Sequence, residues 1–356
     1  MYNAGCIYSK IYNLGNLPND SELINDLKGV IDIYDKYYKM FVKKEVCTNI
    51  KEKDEKTTYS EEKQVIEDEF YDKYTKDDFL KEVFMKQEEY QLLSNLLLTK
   101  KNIILQGAPG VGKTFMAKRL AYSILGYKDK KRVQIVQFHQ SYSYEDFMVG
   151  YRPTEIGFEL NYGPFYEFCK QAEKDNKPYF FIIDEINRGN VSKIFGELLM
   201  LIENDKRDEY IKLLYTKETF FVPKNVHIIG MMNTADRSLA IIDYALRRRF
   251  AFYDVRPAFD NKMFVEMIDT KENETLNRLI SYVEKMNEDI RQDDSLGSGF
   301  EVGHSYFCTR PDMEIDKNWI KSIVEYEIIP LIREYWFDDK EKLEEWSQEL
   351  RGVYND

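Results

Sequence analysis

The chain has 356 residues, 43% hydrophobic and 32% charged, with a formal net charge of −12 at pH 7. That length holds two or three domains, and the acidic balance excludes a surface that coats nucleic acid throughout, so a DNA contact would need a local basic patch. No stretch reaches the ~20 apolar residues of a membrane span, MYNAGCIYSK lacks the layout of a secretion signal, and Cys6, Cys47, Cys169 and Cys308 form no CxxC pair, so a cytoplasmic protein with reduced thiols and no membrane contact is expected.

Residues 1–77 read as a polar, mostly helical extension or linker. Apolar residues recur at helical spacing over 19–43, and KEKDEKTTYSEEKQVIEDEFYDKY follows, dense in mixed charge. From residue 78 the pattern changes. DDFLKEVFMKQEEYQLLSNLLLTKK is a helical lead-in to the apolar run NIILQ (102–106). Further buried-strand candidates are VQIVQF (133–138), YFFIIDE (179–185), VHIIGMMN (226–233) and AFYDV (251–255), with helical stretches between most of them. Apolar strands alternating with helices predict an α/β subdomain over 78–257, its parallel sheet covered on both faces. Residues 258–356 read as helices, with Pro330 expected to kink one of them.

GAPGVGKT (Gly107, Ala108, Pro109, Gly110, Val111, Gly112, Lys113, Thr114) matches GxxxxGK[ST] in full. It follows a strand and opens the helix TFMAKRLAYSIL, the context in which backbone N–H groups close around phosphate. Lys113 is then the β/γ-phosphate contact and Thr114 a Mg²⁺ ligand. YFFIIDE supplies the acidic partner. Asp184 and Glu185 leave a buried strand at its C-terminal end, where parallel sheets bind ligands; Asp184 is placed to hold Mg²⁺ and Glu185 to polarise the attacking water. The pattern is that of a Mg²⁺-dependent nucleotide hydrolase.

The stretch GMMNTADRSLAIIDYALRRRF contains Asn-Thr-Ala-Asp, which resembles the NKxD pattern that reads guanine in small GTPases, but Thr234 stands where that pattern has lysine. The strand before it should end beside the phosphate loop, which places Asn233 to orient water and sense the γ-phosphate. Asp236 is expected to cap the next helix, RSLAIIDYALRRR. One arginine at a helix end would satisfy its dipole. Three in succession suggest a finger offered to a neighbouring subunit's γ-phosphate. Ser143 with Asp146 reads as a capping box. His139 and His304 lack metal-ligand spacing and read as core or interface residues.

In this order and spacing, the phosphate loop, IIDEINRGN, MNTADRS and ALRRRF resemble the McrB family of AAA+ GTPases, the motor subunits of McrBC-type modification-dependent restriction systems. QFHQSYSYEDFMVGYRP with GPFYEFC resembles that family's helix-2 insert (about 141–165), and GSGFEVGHSYF its C-terminal lid (258–356). The resemblance covers about residues 80–355. It implies an AAA+ fold, a homo-oligomeric, hexameric ring, GTP as substrate with ATP as the alternative, Mg²⁺, and a McrC-like nuclease partner through which DNA is engaged. Residue by residue it assigns Lys113 and Thr114 to phosphate and Mg²⁺, Asp184 and Glu185 to hydrolysis, and Asn233 to the sensor. Arg248 is the first choice for the finger and Arg249 the second. Arg188 is either a subunit-interface or sensing residue or an ordinary surface arginine. Proteins of the family carry an N-terminal domain that reads methylated cytosine. The roughly 75 polar residues here suggest a short form, leaving direct DNA binding open. The competing readings are a MoxR-like ATP-driven protein remodeller and a nucleotide-binding scaffold with little turnover. No nuclease constellation is evident, so cleavage is expected from the partner.

Overall fold

Five apolar runs of the central region become five parallel strands of one sheet, lying side by side in the order Val133–Gln137 (β2), Tyr179–Asp184 (β5), Val226–Asn233 (β8), Asn102–Gly107 (β1) and Ala251–Asp254 (β9). The computed structural model describes residues 71–236, 244–308 and 313–355. In chain order, α1 (Lys76–Glu82) and α2 (Gln87–Lys100) lead into β1 (Asn102–Gly107), and α3 (Lys113–Leu125) connects it to β2 (Val133–Gln137). A one-turn helix, α4 (Tyr144–Phe147), and the hairpin of β3 (Val149–Thr154) and β4 (Gly157–Tyr162) precede α5 (Pro164–Ala172) and β5 (Tyr179–Asp184). Two short helices, α6 (Val191–Phe195) and α7 (Leu198–Leu201), and the small hairpin of β6 (Ile211–Lys212) and β7 (Thr219–Phe220) then lead to β8 (Val226–Asn233). α8 (Tyr244–Arg247) and β9 (Ala251–Asp254) complete the sheet. The lid follows as α9 (Lys262–Asp269), α10 (Glu274–Gln292), α11 (Lys317–Ile323), α12 (Ile329–Tyr335) and α13 (Lys340–Asn355).

The strands are apolar on both faces because both faces are covered. Ile103 and Leu105 of β1 pack with Leu93, Leu97 and Leu120 on one side, whereas Ile104 joins Phe147, Phe165, Phe181 and Phe195 on the other. Successive side chains of a strand point to opposite faces, so a run with no polar residue fills two cores at once. The lid has its own core, in which Phe264, Leu279, Val283, Ile328, Trp336 and Leu350 are buried together. The described residues cluster as one compact unit.

Several local features differ from expectation. The lead-in is two helices and not one: Val83 is extended at φ −110, and the Glu89 carboxylate accepts the Lys86 N–H at 3.0 Å to start α2 afresh. The insert region is a short helix plus a β-hairpin, and Ser143 with Asp146 makes the expected capping box on α4. Of the helix expected over 237–249, Tyr244–Arg247 is helical. Residues 237–243, like the helix expected over 19–43, lie outside the described residues, and so does any cap that Asp236 would provide. Pro330 sits at the start of α12, directly after a π-helical turn at Val324–Ile328. The widened turn accommodates a residue that lacks an N–H and crowds the preceding carbonyl. Among the described residues no helix is long and apolar enough to cross a membrane.

Candidate functional site

Parallel pairing brings the chemistry to one edge of the sheet. Gly107 at the end of β1 is in register with Asn233 at the end of β8. β5, on the other side of β8, ends in Asp184. The chain leaves β1 toward one edge strand, β2, and returns after β8 to the other, β9, so connections diverge here and open a crevice at the strand C-termini. Residues Gly107 to Gly112 form the turn into α3. Gly112 is the N-cap at φ +77, a left-handed conformation that costs glycine no Cβ clash. The unpaired N–H groups and the positive dipole end of α3 thus border the crevice, a ready site for an anion.

The cleft has a volume of about 380 Å³ and is lined by Lys113, Thr114, Asp184, Glu185, Asn233 and Ser305 among others. A larger hollow of about 580 Å³, lined by Arg256, Glu284, Glu288 and Arg291 among others, shares none of these residues. Lys113 is buried, and its Nζ donates to the Gly107 and Ala108 carbonyls, both at 2.8 Å. Burial pulls its pKa down to about 8, against the charges of Glu185 and Asp184, which pull it up. An ammonium folded back on its own loop can exchange those carbonyls for phosphate oxygens of full negative charge. Thr114 Oγ1 lies 3.5 Å from Asp184 Oδ2. Two hard oxygens from the protein, with phosphate and water supplying the rest, suit a Mg²⁺ ion.

Beside this pair, the second carboxylate is held from both sides. Asn233 Nδ2 donates to Glu185 Oε1 at 2.7 Å, and Arg188 Nε donates to Glu185 Oε2 at 3.1 Å. Arg188 Nη2 continues to Asp236 Oδ2 at 3.0 Å. Glu185 takes a left-handed backbone at φ +53, strain of order 1–3 kcal/mol for a residue with a Cβ. It lies one residue beyond the sheet, with its side chain among these donors. Thr234 does not face a base: its hydroxyl donates to the Gly299 carbonyl of the lid at 2.6 Å.

The lid's part in the site was not evident from residue types. Gly303 N–H donates to the Pro109 carbonyl at 3.2 Å and Ser305 N–H to the Gly110 carbonyl at 2.9 Å. A Cβ on Gly303 would stand 1.9 Å from the Gly110 carbonyl carbon, so only glycine permits this approach. The Tyr306 ring closes over Gly110. His304 is buried, with Nδ1 accepting the Ala258 N–H at 3.1 Å and its pKa held at about 4 by burial.

The arginine run divides. Arg247 and Arg248 are exposed, and Arg247 lies over the Phe252 ring at 5.8 Å. Arg249 is turned inward: Nε donates to the Leu199 carbonyl at 2.6 Å, and the guanidinium pairs with Glu203 at 2.5 Å. The side chain named as second choice for a neighbour is therefore engaged within its own chain, whereas Arg248 stands outward.

A phosphate loop at the end of β1, an acidic pair at the end of β5, a strand-end amide on β8 between them and a helical lid on the loop define an AAA+ P-loop nucleoside triphosphatase. Residues 102–250 match the family model of the AAA domain (dynein-related subfamily), 278–344 that of the McrB alpha-helical lid domain, and 1–39 that of the MrcB-like N-terminal domain. The chain is 49% identical, over 294 residues, to the Type IV methyl-directed restriction enzyme EcoKMcrB subunit of Escherichia coli (strain K12). It is also 28% identical, over 193 residues, to the Type II restriction enzyme BsuMI component YdiS of Bacillus subtilis (strain 168). This chain belongs to the McrB-like AAA+ proteins. The alignments cover 78% and 43% of it but only 63% and 56% of those two proteins. Residues 1–39, whose composition reads as part of a polar extension, thus carry a match of their own.

Proposed function

We propose that this chain hydrolyses GTP, with ATP as the alternative fuel, between subunits of a homo-oligomeric, hexameric ring, and so drives a McrC-like nuclease in the restriction of modified DNA. The observation that carries the reading is the short contact from Asn233 to Glu185 beside Lys113 and Asp184. In it a carboxylate is aimed at the cleft and steadied by a neutral amide. The N–H groups of Gly110, Val111 and Gly112, with Lys113, bind the phosphates, while Thr114 and Asp184 would hold Mg²⁺. A cation held there would supply positive charge against the negative charge of the phosphates. Glu185 takes the proton of the attacking water, which Asn233 orients.

Charge accounting supports the ring. Among the described residues lining the cleft, Lys113 is the sole cation, facing Asp184 and Glu185. A triphosphate adds about four negative charges and Mg²⁺ returns two, so the transition state needs a further cation. Arg248 of a neighbouring subunit supplies it, and Arg188 stands at the same rim, joined to Glu185 and Asp236. The nuclease and DNA parts of the reading lean on the restriction-enzyme relatives, and GTP as the fuel on the resemblance of the motifs to the McrB family.

The test is turnover of GTP and of ATP by the purified chain, alone and with a McrC-like nuclease subunit. GTP hydrolysis raised by that subunit supports the reading. ATP-only turnover, indifferent to the nuclease, would replace it with a remodelling ATPase, and no turnover under any condition with a scaffold.

A further inference from the structure

One buried side chain ties the arginine run to the start of β1. Asn102 has no exposed surface, and its amide joins three segments. Nδ2 donates to the Ile202 carbonyl at 2.6 Å and to the Arg249 carbonyl at 3.0 Å. Oδ1 accepts from the buried Arg207 guanidinium at 2.6 Å. Arg249 adds its own two contacts, to the Leu199 carbonyl and to Glu203. Leu199, Ile202 and Glu203 lie on α7 or just past its end. The residue after Arg248 is therefore fastened through both its backbone and its side chain to one helix end. Two residues further on, Ala251 enters the sheet in register with Ile103, the neighbour of Asn102. Arg248 stands outward from this anchored point.

A polar side chain with no exposure is costly unless its groups are matched. Here one amide hydrogen bond goes to the run itself at Arg249 and the other to Ile202 just past α7, where an apolar residue could have filled the space. An arginine that must meet a phosphate on another molecule accelerates the reaction only if its approach is fixed beforehand, and a displacement of about 1 Å can cost about 100-fold. We propose that Asn102 and Arg249 are positioning residues that hold Arg248 in the attitude in which it meets the neighbouring subunit's nucleotide. This rests on the reading of Arg248 as the residue offered across the interface.

Two variants test it in the full-length assembled protein. Asn102→Asp keeps an acceptor for Arg207 and removes both amide donors, and Arg249→Gln removes the fork without touching the strand. Each should lower kcat about 10- to 100-fold and leave KM for nucleotide within about 2-fold. If Asn102→Asp does not fold, Arg249→Gln carries the test. The decisive readout is mixing with Glu185→Gln subunits, which lack the catalytic carboxylate but present an intact Arg248. In an equimolar ring half the subunits keep a working site and half of those face an intact donor, so turnover should recover to about a quarter of wild type per subunit. A merely structural role predicts parallel loss of nucleotide binding and no recovery on mixing, and that result overturns the proposal. Full turnover by both variants, beside an inactive Arg248→Ala, overturns the positioning role alone. Full turnover by Arg248→Ala sinks the reading of Arg248 and the positioning role with it.

Discussion

Asn233 and Glu185 meet through a single hydrogen bond of 2.7 Å, from the amide nitrogen to Oε1. The partners come from neighbouring parallel strands, with Asn233 the last residue of β8 and Glu185 the first beyond β5. The neutral amide fixes one carboxylate oxygen without adding to the charge that Arg188 already brings to the other. Asn233→Asp places a second carboxylate in contact with the first, and one of the pair must then take up a proton. The expected result is a fall in kcat of about 100- to 1,000-fold, the size seen when one positioned donor is lost, with nucleotide affinity changed by less than about 3-fold. Single-turnover hydrolysis beside an equilibrium titration separates the two quantities. A variant that turns over at half the wild-type rate would remove Asn233 from the mechanism.

The pKa of Lys113 makes nucleotide binding depend on pH. Burial lowers it from 10.5 to about 8, so in the free protein the ammonium is present at pH 7 and mostly lost at pH 9. Bound phosphate favours the charged form and raises the pKa again. Binding above pH 8 must then take up a proton, and affinity at pH 9 should be about tenfold weaker than at pH 7. Calorimetry in two buffers of different ionisation enthalpy measures the uptake, which should be near zero at pH 7. The sign for folding follows from the same shift. Between pH 8 and 10.5 the unfolded chain holds the proton that the folded one has released, so this group's contribution to stability rises with pH across that window.

The strands and the phosphate loop could be read from the sequence because their signals are local. NIILQ, YFFIIDE and VHIIGMMN are unbroken apolar runs ending in glycine, carboxylates or amide, and parallel pairing lines up those ends. What escaped depends on partners far along the chain. Nothing in residues 303–306 announces that Gly110 lies beneath them. The Arg249 guanidinium goes partly to a backbone carbonyl, Leu199, and such an acceptor leaves no mark on composition. The hairpin of β3 and β4 was hidden for another reason: over Tyr151–Leu160 its residues are mostly exposed, so no alternation of apolar and polar residues betrays the strands. The break between α1 and α2 rests on a single capping contact from Glu89, too small a signal against a continuous helical pattern.

Contact between lid and phosphate loop gives a prediction at Gly303. A methyl group there meets the Gly110 carbonyl carbon at 1.9 Å, backbone against backbone, and no side chain can swing aside to relieve it. Gly303→Ala must shift the lid or the loop, an overpacking cost of about 1–3 kcal/mol. Nucleotide affinity should fall about 10-fold or more, because the Ser305 and Tyr306 contacts move with Gly303. The lid's own core, built on residues such as Leu279 and Trp336, stays intact. Hydrogen exchange should therefore show faster exchange at Gly303 and Ser305 with α10 unchanged, and equal exposure of α10 would mean that the lid itself has unfolded.

Arg188→Ala separates a stability role from a functional one. The side chain is 46% exposed, and its ion pairs with Glu185 and Asp236 are therefore screened, worth under about 1 kcal/mol together. The thermal midpoint should shift by no more than about 3 °C. Turnover should fall at least about 10-fold, because Glu185 loses one of its two orienting donors. Loss of stability without loss of turnover would make Arg188 an ordinary surface ion pair.

The last prediction concerns Arg248, which no residue of its own cleft can replace. Among the described lining residues the only cation is Lys113, already opposed by two carboxylates, whereas Arg248 is exposed at the end of α8. Arg248→Ala should lower kcat about 1,000-fold, at the lower end of what a finger contributes in trans. Nucleotide affinity of the isolated subunit should be unchanged, because that subunit's own site is untouched. Mixing Arg248→Ala with Lys113→Ala tests direction. One variant keeps the nucleotide site and the other keeps the finger, so turnover should reappear only in mixed assemblies and should vary with their ratio. Two inactive variants that stay inactive together would place the role of Arg248 within its own subunit.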